Sequence, residues 1–121
     1  MKAIPMSLTK ATLLNKAAVS KPDVLGEFFG ETVYVKSVSE FQRSRRMSSL
    51  YDMKKEMIKE EAVQRARCAT IIDHLCDEEG NALFTDKDMK SLLELDALKM
   101  DLLIHAIEEW VAKREGKLMG K

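Results

Sequence analysis

Apolar residues recur along most of this chain at helical spacing, most cleanly toward its C-terminal end. Met100, Leu103, Ile104, Ile107, Trp110 and Val111 fall at i, i+3, i+4, i+7, i+10 and i+11, with Asp101, His105 and Glu108 on the opposite side. That spacing predicts an amphipathic helix. A helical domain over residues 1–115 is expected, followed by a flexible basic tail, Gly116-Lys117-Leu118-Met119-Gly120-Lys121. Upstream, Glu40 to Leu75 contains neither glycine nor proline. On a helical wheel Leu50, Met53, Met57, Cys68, Ile71, Ile72 and Leu75 share one face, which Glu61 and Gln64 interrupt. Either two helices cover this stretch, or the middle of one leaves the core and meets a partner or water. Asp86 to about Leu95 reads as a further helix with Met89, Leu92 and Leu93 inward. Ser7 to Val19 reads as the first, with Leu14, Ala17 and Ala18 on one side. Pro22 disfavours helical geometry at Lys21 and ends it.

Between the first helix and the long helical region the pattern changes. Phe28, Phe29, Val33, Tyr34 and Val35 are strand formers, and Gly30-Glu31 separates two short runs. The fold class is therefore mainly α: a compact domain of about four to five helices with a small β-hairpin or short strand pair near residues 24–36. Ser37-Val38-Ser39-Glu40 offers capping-box spacing for the long region, and Thr85 with Asp88 does the same for the next helix. A helix arriving through Ile71, Ile72 and Leu75 is expected to stop near Gly80-Asn81, since both residues tolerate positive φ.

Lysine plus arginine equals aspartate plus glutamate at 20 each, so no global field draws the 121-residue chain toward nucleic acid or anionic membrane. Near-zero net charge also leaves little repulsion between copies. No stretch approaches the roughly 20 apolar residues of a membrane span. The two cysteines, Cys68 and Cys76, are spaced too far apart on one helix for a disulfide. A reducing cytoplasm is expected.

The central turn invites an EF-hand reading. With Gly80 at loop position six, Asp77, Glu79 and Asp86 fall on ligand positions, but position one would be Leu75, which offers no side-chain oxygen. Cys68, His74, Cys76 and His105 lack the spacing of a zinc finger or ribbon, and Cys68 suits a core position. No histidine lies beside a serine or cysteine turn, and adjacent glutamates such as Glu60-Glu61 and Glu108-Glu109 diverge by about 100° on a helix. No enzyme, metal or cofactor is expected. Arg43, Arg45, Arg46, Lys54 and Lys55 form the best nucleic-acid candidate, but Glu56, Glu60 and Glu61 can pair with them and aromatic stacking platforms are few. Among the eight methionines, Met89 and Met100 suit the core, whereas Met47 and Met119 suit an adaptable interface.

The order of elements, the strand Val33-Tyr34-Val35-Lys36 and the turn Leu75-Cys76-Asp77-Glu78-Glu79-Gly80-Asn81-Ala82-Leu83-Phe84 together resemble the tail assembly chaperones of long, non-contractile-tailed phages of the lambda and HK97 type. The resemblance spans roughly residues 20 to 110. It implies a mostly helical protein of the host cytoplasm that coats the tape measure protein during tail building, keeps it soluble, recruits tail tube protein, self-associates and is absent from the virion. It also implies a longer product made by frameshifting, which the codons for Glu115-Gly116-Lys117 and Met119-Gly120-Lys121 permit. On this reading the partner-binding residues are Met47, Met57, Glu60, Glu61, Gln64, Phe28 and Phe29. Rival readings are a small nucleic-acid-binding regulator and a structural adaptor retained in the particle.

Overall fold

The computed structural model describes the backbone of residues 8–52, 57–58 and 60–120, and the side chains of residues 8–48 and 65–120. In chain order the elements are α1 (Lys10–Lys16), β1 (Asp23–Phe28), β2 (Glu31–Val35), α2 (Glu40–Leu50), β3 (Tyr51–Asp52), β4 (Met57–Ile58), α3 (Glu60–His74), β5 (Leu75–Cys76), a 3-10 turn (Asp86–Asp88), α4 (Met89–Leu93) and α5 (Ala97–Leu118). The fold is mainly α with a small antiparallel sheet, as the hydrophobic pattern predicts.

The hairpin forms where expected. Its two connecting residues, Phe29 and Gly30, both have positive φ, 54° and 81°, as a type I′ turn requires. A one-residue bulge at Leu25 shifts the register between Val24↔Tyr34 and Gly26↔Val33.

The third strand departs from expectation. The helix that should have carried Leu75 toward Gly80 ends at His74, and Leu75-Cys76 pairs antiparallel with Val35 and Tyr34 of β2. The Lys36 amide donates to the His74 carbonyl at 2.9 Å and closes the junction. Beyond it the chain doubles back: Cys76 bridges Ala82, and the Asp77 amide donates to the Asn81 carbonyl at 2.8 Å. Strand pairing overrides helix propensity here because Leu75 and Cys76 bury their side chains, 3% and 1% exposed, while their backbones bond to β2. Gly80 alone takes positive φ in this turn, at 94°; Asn81 does not.

The long helical region resolves into two helices, the first of the two alternatives. The break is a two-strand ribbon, Tyr51↔Ile58 and Asp52↔Met57, which no glycine or proline announces. The core gathers Val35, Cys68, Ile71, Ile72, Leu75, Leu92, Met100, Ile104 and Ile107, with Leu25, Val33, Phe84, Met89, Leu103 and Trp110 packed around it. Full burial of each large side chain contributes roughly 1.5–3 kcal/mol. Among the described residues two inward assignments fail, because Leu93 and Val111 are 50% and 38% exposed; the side chains of Leu50, Met53 and Met57 lie outside the described residues. Leu93 closes a five-residue helix whose single buried residue is Leu92, so one side chain anchors it.

Caps fix the boundaries. Thr85 and Asp88 form the predicted capping box, the Thr85 amide donating to Asp88 Oδ2 at 2.8 Å. The box before α2 uses Ser39 and Gln42 instead of Ser37 and Glu40: the Gln42 amide donates to Ser39 Oγ at 3.1 Å, and the Ser39 amide to Gln42 Oε1 at 3.4 Å. Ser37 Oγ accepts from the Ser20 amide. The first helix is shorter than its apolar pattern, starting at the Thr9 cap and ending at Lys16, and none of its residues is buried. α5 runs past Glu115, where the tail was expected to fray, and stays helical through Gly116 to Leu118.

Candidate interaction surface

An open concavity is built around the second half of α5. Trp110 sits where α5 passes the start of β1, and its Nε1–H donates to Asp23 Oδ2 at 3.0 Å. The Arg114 guanidinium lies 5.1 Å from the Trp110 ring centroid, a cation–π distance, and donates from Nη2 to Ser20 Oγ at 2.8 Å. Ser20 in turn donates its amide to Ser37 Oγ at 2.9 Å. This chain of bonds ties the segment after α1 to the β2–α2 connection and to α5. The open groove so formed has a volume of about 670 Å³. Val19, Val38, Val111, Leu118 and Met119 supply its apolar surface, and Glu40, Arg43, His74, Arg114 and Glu115 supply charged or polar groups. His74 Nδ1 lies 3.0 Å from the Thr70 carbonyl, so that nitrogen carries the proton and the ring is held in place.

A second concavity of about 530 Å³ lies beside α2 and the 3-10 turn. Its centre is Arg46, which forks onto Asp73 through Nε–Oδ2 at 3.0 Å and Nη2–Oδ1 at 2.7 Å and also reaches Asp86 Oδ1 at 2.9 Å. Hydrogen bonding to Asp73 outweighs desolvation and keeps the guanidinium charged at every accessible pH. These bonds staple α2 to α3 and to the segment opening α4. Arg67 of α3 pairs with Asp101 of α5.

The acidic turn has a structural use. Asp77 Oδ1 accepts from the amides of Glu79 and Asn81 at 2.9 and 2.8 Å, and Oδ2 accepts from Asn81 Nδ2 at 3.1 Å. Hydrogen bonds from Asn81 hold its carboxyl below the ordinary carboxylate range. The carboxylate that a calcium loop would direct at an ion is spent on its own turn. Among the described residues no group of three or more His, Cys, Asp or Glu side chains is placed to hold a metal. Cys68 and Cys76 are both buried free thiols, and burial pushes both up from the ordinary thiol value. The two do not share a helix, as the sequence suggested: Cys68 lies in α3 and Cys76 in β5.

The partner-binding residues expected from sequence are dispersed. Phe28 ends β1 half-buried, and Phe29 projects from the hairpin turn at 57% exposure, their ring centroids 6.4 Å apart. Lys99 of α5 places its ammonium 5.9 Å from the Phe29 centroid. Met47 is 58% exposed on α2 and lines neither groove. Met57 belongs to β4, and Glu60, Glu61 and Gln64 belong to α3; their side chains lie outside the described residues. Sequence reasoning missed the Asp23–Trp110–Arg114–Ser20 cluster, whose members lie 87 and 94 positions apart. Trp110 on the apolar face was its one visible signal. Comparison with protein-family models, with curated proteins and with solved structures gives no match.

Proposed function

We infer that this chain is a protein-binding assembly factor, a phage tail assembly chaperone that holds the tape measure protein in soluble form. On this reading it works in the host cytoplasm, recruits tail tube protein, and leaves before the virion is complete. The observation that carries the reading is the groove along α5. Its apolar surface, its mixed charges and its hydrogen-bonded rim suit the apolar stripe and flanking charges of an amphipathic helix. Long helical segments of that kind are what a tape measure protein presents. The sequence resemblance supports the same partner.

Affinity per site is expected to be modest. Two or three apolar anchors at roughly 1.5–3 kcal/mol each only partly offset an association cost of about 4–15 kcal/mol. Many copies along one extended partner compensate through effective concentration. The exposed Phe29 tip offers a second contact.

The test is co-expression with the largest coiled-coil-rich protein encoded just downstream. Soluble co-purification with several copies per partner is expected, and Val111→Asp with Leu118→Asp should lower the yield of complex about tenfold or more. A partner that stays insoluble while this chain elutes alone refutes the reading. Recovery of the chain in purified particles would make it a structural adaptor instead.

A further inference from the structure

Two of the exposed apolar surfaces outside the groove carry opposite charges. The first is the N-terminal arm. α1 buries no residue, and Leu8, Leu13 and Leu14 are 66%, 47% and 66% exposed. From residue 8 to residue 22 the chain carries Lys10, Lys16 and Lys21 and no acidic residue. The second surface lies at the start of α5. Leu98 and Leu102, one turn apart on its outward face, are 74% and 58% exposed, and Leu95 just before the helix is 51% exposed. Residues 94 to 109 hold five carboxylates, Glu94, Asp96, Asp101, Glu108 and Glu109, against Lys99 and the Arg67 of α3 that pairs with Asp101.

We propose that the basic leucine arm of one copy docks on the acid-flanked Leu95–Leu98–Leu102 stripe of another. Charge favours this pairing over the groove, where Glu40 and Glu115 balance Arg43 and Arg114 and leave no net attraction for lysines. The arm carries three lysines and no carboxylate, whereas residues 94 to 109 carry more carboxylates than cations, and that opposition is an attraction when the two belong to different copies. Within one molecule neither surface covers the other, since the leucines of both are exposed.

Geometry then sets the form of the assembly. The arm is tied down through Ser20 to Arg114, near the end of α5, whereas the stripe occupies its first two turns. A 22-residue helix is about 33 Å long, so donor and acceptor surfaces sit toward opposite ends of it. Different patches on the two partners make a heterologous contact, which propagates as an open chain unless its rotation closes a ring. Copies would then run in one direction. This identifies the surface for the self-association included in the proposed function, and it is testable without any tape measure protein.

The experiment is sedimentation velocity on the purified full chain over a range of concentration and salt. Wild type is expected to form concentration-dependent oligomers that weaken as salt rises. A stripe variant, Leu98→Lys with Leu102→Lys, and an arm variant, Lys10→Glu with Lys16→Glu, should each weaken self-association about tenfold or more. Mixed together, the two should form a one-to-one dimer and nothing longer, because one retains an intact arm and the other an intact stripe. All four positions are exposed, and circular dichroism confirms that each variant is folded. A monomeric wild type up to about 0.5 mM, oligomers that persist in either variant, or a mixture that stays monomeric would each overturn the proposal. Failure here leaves the co-expression result untouched.

Discussion

Phe29 is held in a conformation that asparagine tolerates better. Its φ of 54° lies in the left-handed region, at the first of two positive-φ positions where asparagine followed by glycine is the favoured pair. A β-carbon there costs about 1–2 kcal/mol for most residues. Two contacts offset that cost: the Lys99 ammonium at 5.9 Å, worth roughly 0.5–1 kcal/mol, and the Phe28 ring at 6.4 Å, worth roughly 0.5–1.5 kcal/mol. Phe29→Ala keeps the strain and loses both contacts, so it should destabilise by about 1–2 kcal/mol. Phe29→Asn loses the same contacts but relieves about 1 kcal/mol of strain, and should fall within about 1 kcal/mol of wild type. Urea unfolding followed by circular dichroism at both variants measures the difference. An asparagine variant no more stable than the alanine variant would refute the strain assignment. If the ring also contacts a partner, both variants should lose partner capture equally, whatever their stability.

Three further outcomes are expected. Arg46→Met removes the fork that joins α2, α3 and the turn before α4 and leaves Asp73, whose side chain is 14% exposed, without its cation. A loss of about 1–3 kcal/mol in urea unfolding is expected, and a change under about 0.3 kcal/mol would assign the bridge no structural role. Gly80→Ala forces a β-carbon into positive φ and to 3.3 Å from Pro22 Cγ, so a loss of about 1–2 kcal/mol is expected by the same assay. The Asp77 carboxyl should titrate below ordinary aspartates in carbon-detected NMR. Its folded value lies below the unfolded one, so its stabilising effect is present above the unfolded value and fades as pH falls through the folded value. Titration at or above the ordinary value would contradict the turn geometry.

Much of the fold was legible because burial is periodic. Ile104, Ile107 and Met100 are buried on the face their spacing selected, and Phe29-Gly30 turns the chain where strand formers give way to glycine. What was not legible depends on residues far apart. Leu75 and Cys76 continue a helical apolar pattern, and only β2, some 40 positions upstream, makes them a strand. The ribbon between α2 and α3 contains neither glycine nor proline, so local sequence gave no warning. The groove escaped for the same reason: Asp23, Ser20, Trp110 and Arg114 carry no shared motif. The cap before α2 was misplaced by two residues because Ser37 and Ser39 both fit the spacing, and the Ser20 amide claims the first.

The pairing of Val35 with Leu75, sealed by the Lys36–His74 bond, gives the chain a stem. Everything between leaves the sheet and returns to it at one point. Within that excursion α2 and α3 are held to the rest by Arg46, Arg67 and the buried Cys68, Ile71 and Ile72, so chain length is least constrained at its far end, between β3 and β4. Each doubling of a flexible connection adds only about 0.6 kcal/mol of closure cost. Insertions between β3 and β4 should leave β1, β2, β5 and α5 where they are. Related chains can thus vary most between β3 and β4 while Val38, Glu40, Arg43 and His74 keep lining the groove along α5, and a reporter peptide or affinity tag placed there would leave that groove in place.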